Sequence, residues 1–254
     1  MQDDVLWSRS TAESLRRRAA AGAVAILPVA STEQHGPHLA TGVDTILCGE
    51  VCRRAAHFTK VQAVVAPTMW MGLAEHHMDF GGTFTFTLPT YKSVIEEMCR
   101  SILRAGFKNI AICNGHGGNI TALNAMSSDL ARSLGQSVGI GTYWLLDPEG
   151  VAAALEDQKT VLHACEAETS MMLAIAPDLV DRSRFAEAKG GDNGTSAGGI
   201  LNPAFQQWRG FKQMTDSGVI GDAAKASAEK GERLLDASAR ALARCVDGLA
   251  EGRR

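Results

Sequence analysis

Three stretches of this 254-residue chain concentrate side chains able to hold a cation or move a proton. STEQHGPHLATGVD, residues 31–44, places Glu33, His35 and Asp44 directly behind the apolar run AVAILPV. GHGGN, residues 115–119, follows the apolar run NIAICN. Its glycines allow close backbone approach and leave His116 as the side chain able to reach inward. LHACEAETS, residues 162–170, contributes His163, Glu166 and Glu168.

Each stretch alone has a plainer explanation. Asp44 opens a helical pattern and suits a cap, with Glu33 a solvated charge and His35 a loop histidine. Two carboxylates at a helix start complement its dipole. A glycine loop before a helix suggests a phosphate cradle, but this one fits neither GxGxxG nor the P-loop pattern and carries no lysine. Together the stretches offer three acids and two or three histidines without thiolate, a donor set suited to Zn, Mn or Fe(II). A carboxylate shared between two ions explains why Asp44 accompanies two Glu/His sets. Two ions would acidify a bridging water and polarise a carbonyl oxygen. On a helix, His163 and Glu166 at i and i+3 would share a face, which favours Glu166 over Glu168 as a ligand.

The elements that must position these groups alternate along the chain. Apolar runs at 23–29, 61–67, 109–114 and 137–146 read as strands, and the alternating TFTFTL at 83–88 as a half-exposed one. Helical patterns occupy 10–22, 44–58, 90–107, 119–135, 147–158, 166–176 and 222–252. This alternation predicts an α/β fold: one three-layer domain over residues 1–254, with a largely parallel central sheet flanked by helices. In such sheets ligands bind beyond the carboxyl ends of the strands, so the loops holding Glu33 and His116 should meet on one rim.

Other residues are open to two readings. Glu75, His76 and His77, in a loop behind the second strand, line a substrate pocket or serve the fold. Trp144 stacks on a flat substrate or packs in the core, and His38 supports the loop of His35. Residues 184–221 are glycine-rich, with GGDNGTSAGG and the aromatics Phe205, Trp208 and Phe211 three apart. Exposing all three would leave a sticky patch, so the segment should cover the cleft or enter a neighbouring subunit.

A formal net charge of -3 gives no general pull towards nucleic acid or acidic membranes. The six cysteines are scattered, as expected of reduced, mostly buried thiols. Cys48 and Cys52 are four apart, and a zinc-type pair would need two partners elsewhere. The charged amino-terminal stretch is neither a signal peptide nor a span, and the expectation is a soluble, cytoplasmic protein.

LPVASTEQHGPHLATGVD, GHGGN and HACEAETS, in this order and spacing, resemble the creatininase (creatinine amidohydrolase) family. The resemblance runs over about residues 20–225 and takes in AEHHMDFGGT and SGVIGD. It implies a creatininase-like fold, a centre of two divalent ions (Zn, Mn or Fe), hydrolysis of C–N bonds in small or cyclic amides, and a homo-oligomer, usually a hexamer. By position it implies Glu33, Asp44 and His116 around one ion, and His35 with the shared Asp44 around the other. Creatininase itself carries a tyrosine and a glutamate where this chain has Gly117 and Gly118. Glu166 is the substitute expected for that glutamate, and His163 matches the family's proton shuttle. Formamides and lactone-like rings, on which other relatives act, are the alternative substrates. The rival of another class is a metal-binding scaffold without turnover.

Overall fold

A run of six residues with no polar face is stable only as a strand covered on both sides. Val24–Val29 (β1) is such a run, buried at every position. It lies inside a parallel sheet ordered β2-β1-β3-β4, with β2 at Ala63–Val65, β3 at Asn109–Asn114 and β4 at Gly139–Thr142. The computed structural model describes residues 4–191 and 207–252. Val24 pairs with Ala63 and Asn109, and Asn114 with Thr142, so the strands run in step. The loops that follow them open on one rim.

The helices are α1 (Ala12–Ala20), α2 (Val43–Phe58), α3 (Leu88–Arg104), α4 (Ile120–Leu134), α5 (Pro148–Ala154), α6 (Glu166–Ile175) and α7 (Ala228–Ala250). Successive strand side chains point to opposite faces, and the core divides accordingly. Ala25, Leu27 and Val29 pack with Leu15 of α1, Ile95 of α3, and Leu123 and Leu130 of α4. Val24 and Ile26 pack with Leu47 and Val51 of α2, Met171 of α6 and Leu242 of α7. The sheet therefore has helices on both faces, the three-layer α/β architecture expected.

Local differences have physical causes. α1 is capped by Thr11, whose side chain accepts the Ser14 N–H, rather than by Ser10. TFTFTL is not a strand: its backbone makes one isolated bridge, Gly72 to Thr85, and α3 begins at Leu88 with Pro89 in the first turn. Proline is preorganised for that position. α7 starts at Ala228, capped by Ser227, because Gly221–Asp222 (β6) pairs antiparallel with Lys189–Gly190 (β5). The six cysteines are free thiols, and all but Cys245 are buried. The most glycine-rich part of the long loop, and Phe205, lie outside the described residues.

Candidate metal centre

The rim gathers side chains from four stretches. Behind β1, Glu33 and His35 are 1% and 0% exposed. Asp44 lies inside the first turn of α2, whose cap is Gly42, so its carboxylate is not spent on capping. Behind β3, the Asn114 side chain accepts the His116 N–H at 3.1 Å and donates to the His116 carbonyl at 2.8 Å. Asn119 donates to the Ala30 carbonyl at 3.2 Å and accepts from Leu73 N–H at 3.0 Å, lacing together the loops after β1, β2 and β3. No side chain fits at Gly118, where a Cβ would strike the Leu73 carbonyl and the His116 ring.

Asp44 presents its two oxygens to two different groups. Its Oδ2 lies 3.0 Å from His116 Nδ1, which is also 3.1 Å from Glu33 Oε2. Its Oδ1 lies 3.1 Å from His35 Nε2, which is 3.9 Å from Glu168 Oε2. The donor atoms of Glu33, Asp44 and His116 all fall within 4.8 Å of one another, as do those of His35, Asp44 and Glu168. The same holds for Glu33, His35 and His163. The other ring nitrogen of His35 and of His116 is held by backbone. His35 Nδ1 donates to the Glu33 carbonyl at 3.1 Å, and His116 Nε2 to the Leu73 carbonyl at 3.1 Å. Such partners fix the tautomer and aim the remaining lone pair inward.

The expected fifth donor, Glu166, is elsewhere. Its carboxylate accepts the backbone N–H groups of Glu156 and Asp157 at 3.0 and 3.2 Å and pairs with Lys230 Nζ of α7 at 2.7 Å. Glu168 stands in its place beside His35 and Asp44. The i, i+3 argument fails because His163 is not helical: it forms a bridge with Ile220, and Ala164, at φ 52°, turns the chain before α6 begins. Glu166 and Glu168, two apart on a helix, then point to opposite sides.

His163 borders the trios. Its Nε2 donates to the Gln34 carbonyl at 2.9 Å, and its Nδ1 lies 3.7 Å from Glu33 Oε1. Of the candidate pocket residues, His76 stacks against His116 at 5.8 Å between ring centroids, whereas Glu75 is exposed at the surface. Trp144 is buried in the core cluster beside Tyr143. Two residues that the sequence did not single out, Gln34 and Tyr143, carry weight here, and His77, expected to line a pocket or serve the fold, contacts Glu33. His77 Nε2 lies 3.2 Å from Glu33 Oε1, and burial, followed by the Glu168 and Asp44 charges, pushes the Tyr143 phenol up. Phe211 closes over the histidines, with its centroid 4.0 Å from His77, 4.8 Å from His163 and 5.5 Å from His76. Trp208, its neighbour in the triplet, is 68% exposed.

The donor set fits divalent ions on a specific observation. Glu33 Oε2, His35 Nε2 and Asp44 Oδ2 are buried without an aligned hydrogen bond, although each has a complementary atom at contact distance. Buried polar atoms gathered this closely without hydrogen bonds of their own are what a bound cation would satisfy. Protons compete for the same places. Burial opposes a charge on His35, but Asp44 and then Glu168 overcome it and raise its pKa to about 9. His116 is likewise raised against burial by Glu33 and Asp44. Burial lifts Glu168 to about 7 despite the pull of His35. Cys48, Cys52 and Cys113 gather beneath the rim, with Cys48 donating to the Cys113 carbonyl at 3.3 Å.

A parallel sheet carrying carboxylate–imidazole trios on its carboxyl rim defines a metal-dependent hydrolase. The chain belongs to the creatininase family: the family model described as creatinine amidohydrolase matches residues 8–246. It is 28% identical over 272 residues to the creatinine amidohydrolase of Pseudomonas putida, covering 100% of this chain and 98% of that one. It is 31% identical over 214 residues to the mycofactocin precursor peptide peptidase of Mycolicibacterium smegmatis, covering 83% and 78%. Among solved structures, a creatininase crystal structure superposes with a TM-score of 0.82 at 26% identity over 96% of this chain and 97% of that one. A zinc–zinc form of a creatininase variant matches at 25% identity and a TM-score of 0.81, covering 96% and 98%. The protein is thus a creatininase-family amidohydrolase that acts on carbon–nitrogen bonds with divalent metal.

Proposed function

We propose that the protein hydrolyses the C–N bond of a small amide, cyclic amides included, at a centre of two divalent ions. The observation that carries this reading is Asp44, whose two oxygens serve two separate trios. Glu33 and His116 complete one, His35 and Glu168 the other. Ions held there would acidify a bound water and polarise the substrate carbonyl. The chain's own part is to hold these donors, exclude solvent and move a proton.

His163 is suited to the proton. Its Nε2–H is committed to the Gln34 carbonyl, which leaves the Nδ1 lone pair at the rim facing Glu33. Burial, with the neighbouring His35 and His77, holds it well below the usual histidine range, so the ring is neutral and its Nδ1 carries no proton. Phe211 packs over the histidine edge, 4.8 Å from His163 between ring centroids. His163→Ala should lower kcat by roughly 100-fold or more while both ions are retained. Turnover that survives complete chelation would sink this reading, unchanged turnover in His163→Ala would remove the proton role from His163, and a metal-loaded wild type with no turnover to lose would be the scaffold.

The substrate class is set by a screen of zinc- and manganese-loaded protein against creatinine, other cyclic amides, formamides, lactones and a short peptide. The peptide belongs there because the 31% relative is named for a precursor peptide. Hydrolysis of formamides or lactones alone would move the assignment to those substrates.

A further inference from the structure

Gln34 lies between two ligands without being one, and its side-chain amide can be oriented without ambiguity. Its Oε1 accepts the Gly36 backbone N–H at 2.9 Å, and its Nε2 donates to the Gly218 carbonyl at 3.0 Å. A backbone donor on one side and a backbone acceptor on the other allow only that orientation. The same Nε2 lies 2.9 Å from His77 Nδ1. A carboxamide nitrogen has two protons and no lone pair to offer. One proton goes to Gly218; His163 Nε2, 3.0 Å away, turns its own proton to the Gln34 carbonyl and cannot accept, so the second goes to His77 Nδ1. The His77 proton is therefore on Nε2, the atom 3.2 Å from Glu33 Oε1.

From this geometry we infer that His77 is a positioning residue for the metal ligand Glu33, with its tautomer set by Gln34. The inference rests on the two-ion reading above and adds what orients one of the trios. With Oε1 engaged by His77, Glu33 presents Oε2 to the trio it forms with Asp44 and His116. That is the oxygen left without an aligned partner in the buried site. Both His77 and Glu33 are 1% exposed, so water does not substitute for either partner. Gln34 also joins this relay to the chain around Gly218, two residues before the Ile220 that bridges His163. One amide thus ties the aim of Glu33 to the segment that brings Phe211 over the site. The contact with the ion is indirect, so the role is positioning and not catalysis.

The test is zinc binding by competition with a chromophoric chelator, using wild type, His77→Leu, His77→Gln and Glu168→Gln. Glu168→Gln identifies the binding phase that belongs to the His35 trio. His77→Leu keeps bulk and removes the donor. It should weaken the other phase by roughly 10- to 100-fold, the usual effect of losing a partner that orients a ligand. His77→Gln, whose amide nitrogen replaces Nε2, should stay within about threefold of wild type, a rescue that loss of packing alone would not produce. Long-range nitrogen–proton spectra of the zinc-loaded protein should show the Nε2–H tautomer at His77, and Gln34→Glu should abolish it. Wild-type affinity in His77→Leu, equal weakening in Leu and Gln variants, or an Nδ1–H tautomer would each overturn the inference. A wild type that takes up only one zinc ion would overturn the two-ion reading instead. The same ranking of variants on that single ion would still support His77.

Discussion

Glu166 and Glu168 sit in one helical turn, and an amide substitution at each should separate their jobs. Glu168→Gln should remove one of two bound ions, measured by metal analysis of purified protein. Glu166→Gln should keep both ions and lower the melting temperature, because the buried Lys230 then keeps only the exposed Glu156 as its counter-charge. Loss of an ion from Glu166→Gln alone would return the ligand to that position. A second expectation concerns pH. The metal-free His35, with its pKa near 9, holds a proton at neutral pH that an incoming ion must displace. Apparent ion affinity should therefore rise as pH approaches 9, and calorimetry at neutral pH in buffers of different ionisation enthalpy should register proton release. At this scale much was legible in the sequence. Glu33, His35, Asp44 and His116 follow buried strands or open a helix, where direction is fixed by the strand ends. Glu168 was not, because the choice between it and Glu166 turned on whether His163 was helical. Nor was His77 legible, since the EHHMDF stretch is a tight 3-10 turn in which burial falls on one of two adjacent histidines.

The elements explain why the loop of His116 carries glycine where creatininase has a bulkier residue. Loop 115–119 is pressed against the chain after β2, and Asn114 and Asn119 stitch it there. Gly118→Ala should cost roughly 1–3 kcal/mol in stability, the usual penalty for overpacking, and should weaken zinc at the His116 trio. A denaturant melt together with metal analysis checks both. An unchanged midpoint with full metal content would mean that the loop can move aside. The strands and helices themselves were readable from apolar periodicity. TFTFTL was not, because alternation reports which side chains turn inward and says nothing of whether a neighbouring strand is there to pair. Its Phe84 N–H goes to the Thr32 carbonyl and its Phe86 N–H to Gly72, so it runs as a strap along the rim.

At the scale of the molecule, the expectation of a homo-oligomer is tested on the apolar groups left outside. Trp70, Met78, Phe84 and Leu88 are between 43% and 55% exposed, and Trp70 meets Phe84 edge-on at 5.4 Å. An exposed aromatic pair of this kind is a candidate interface. The aromatic triplet divides its work: Phe211 turns in to the histidines, Trp208 outward, and Phe205 lies outside the described residues. We expect light scattering at micromolar concentration to find a homo-oligomer, a hexamer by the family resemblance. Trp208→Ala should loosen it and lower activity together, because Phe211 is three residues away. A monomeric wild type would refute the interface, and intact assembly with lost activity would assign Trp208 to the cleft alone. Among the described residues no helix is long and apolar enough to cross a membrane. The spread of the donors has one more consequence, which lies in synthesis. Glu33 and Asp44 leave the ribosome early, His116 much later, and Glu168 only after β4 and α5 have been made. A nascent amino-terminal half therefore owns carboxylates but no complete trio at its His35 side. In the two-ion reading, full loading of the centre would wait until α6 docks, and ion uptake during translation would time that event.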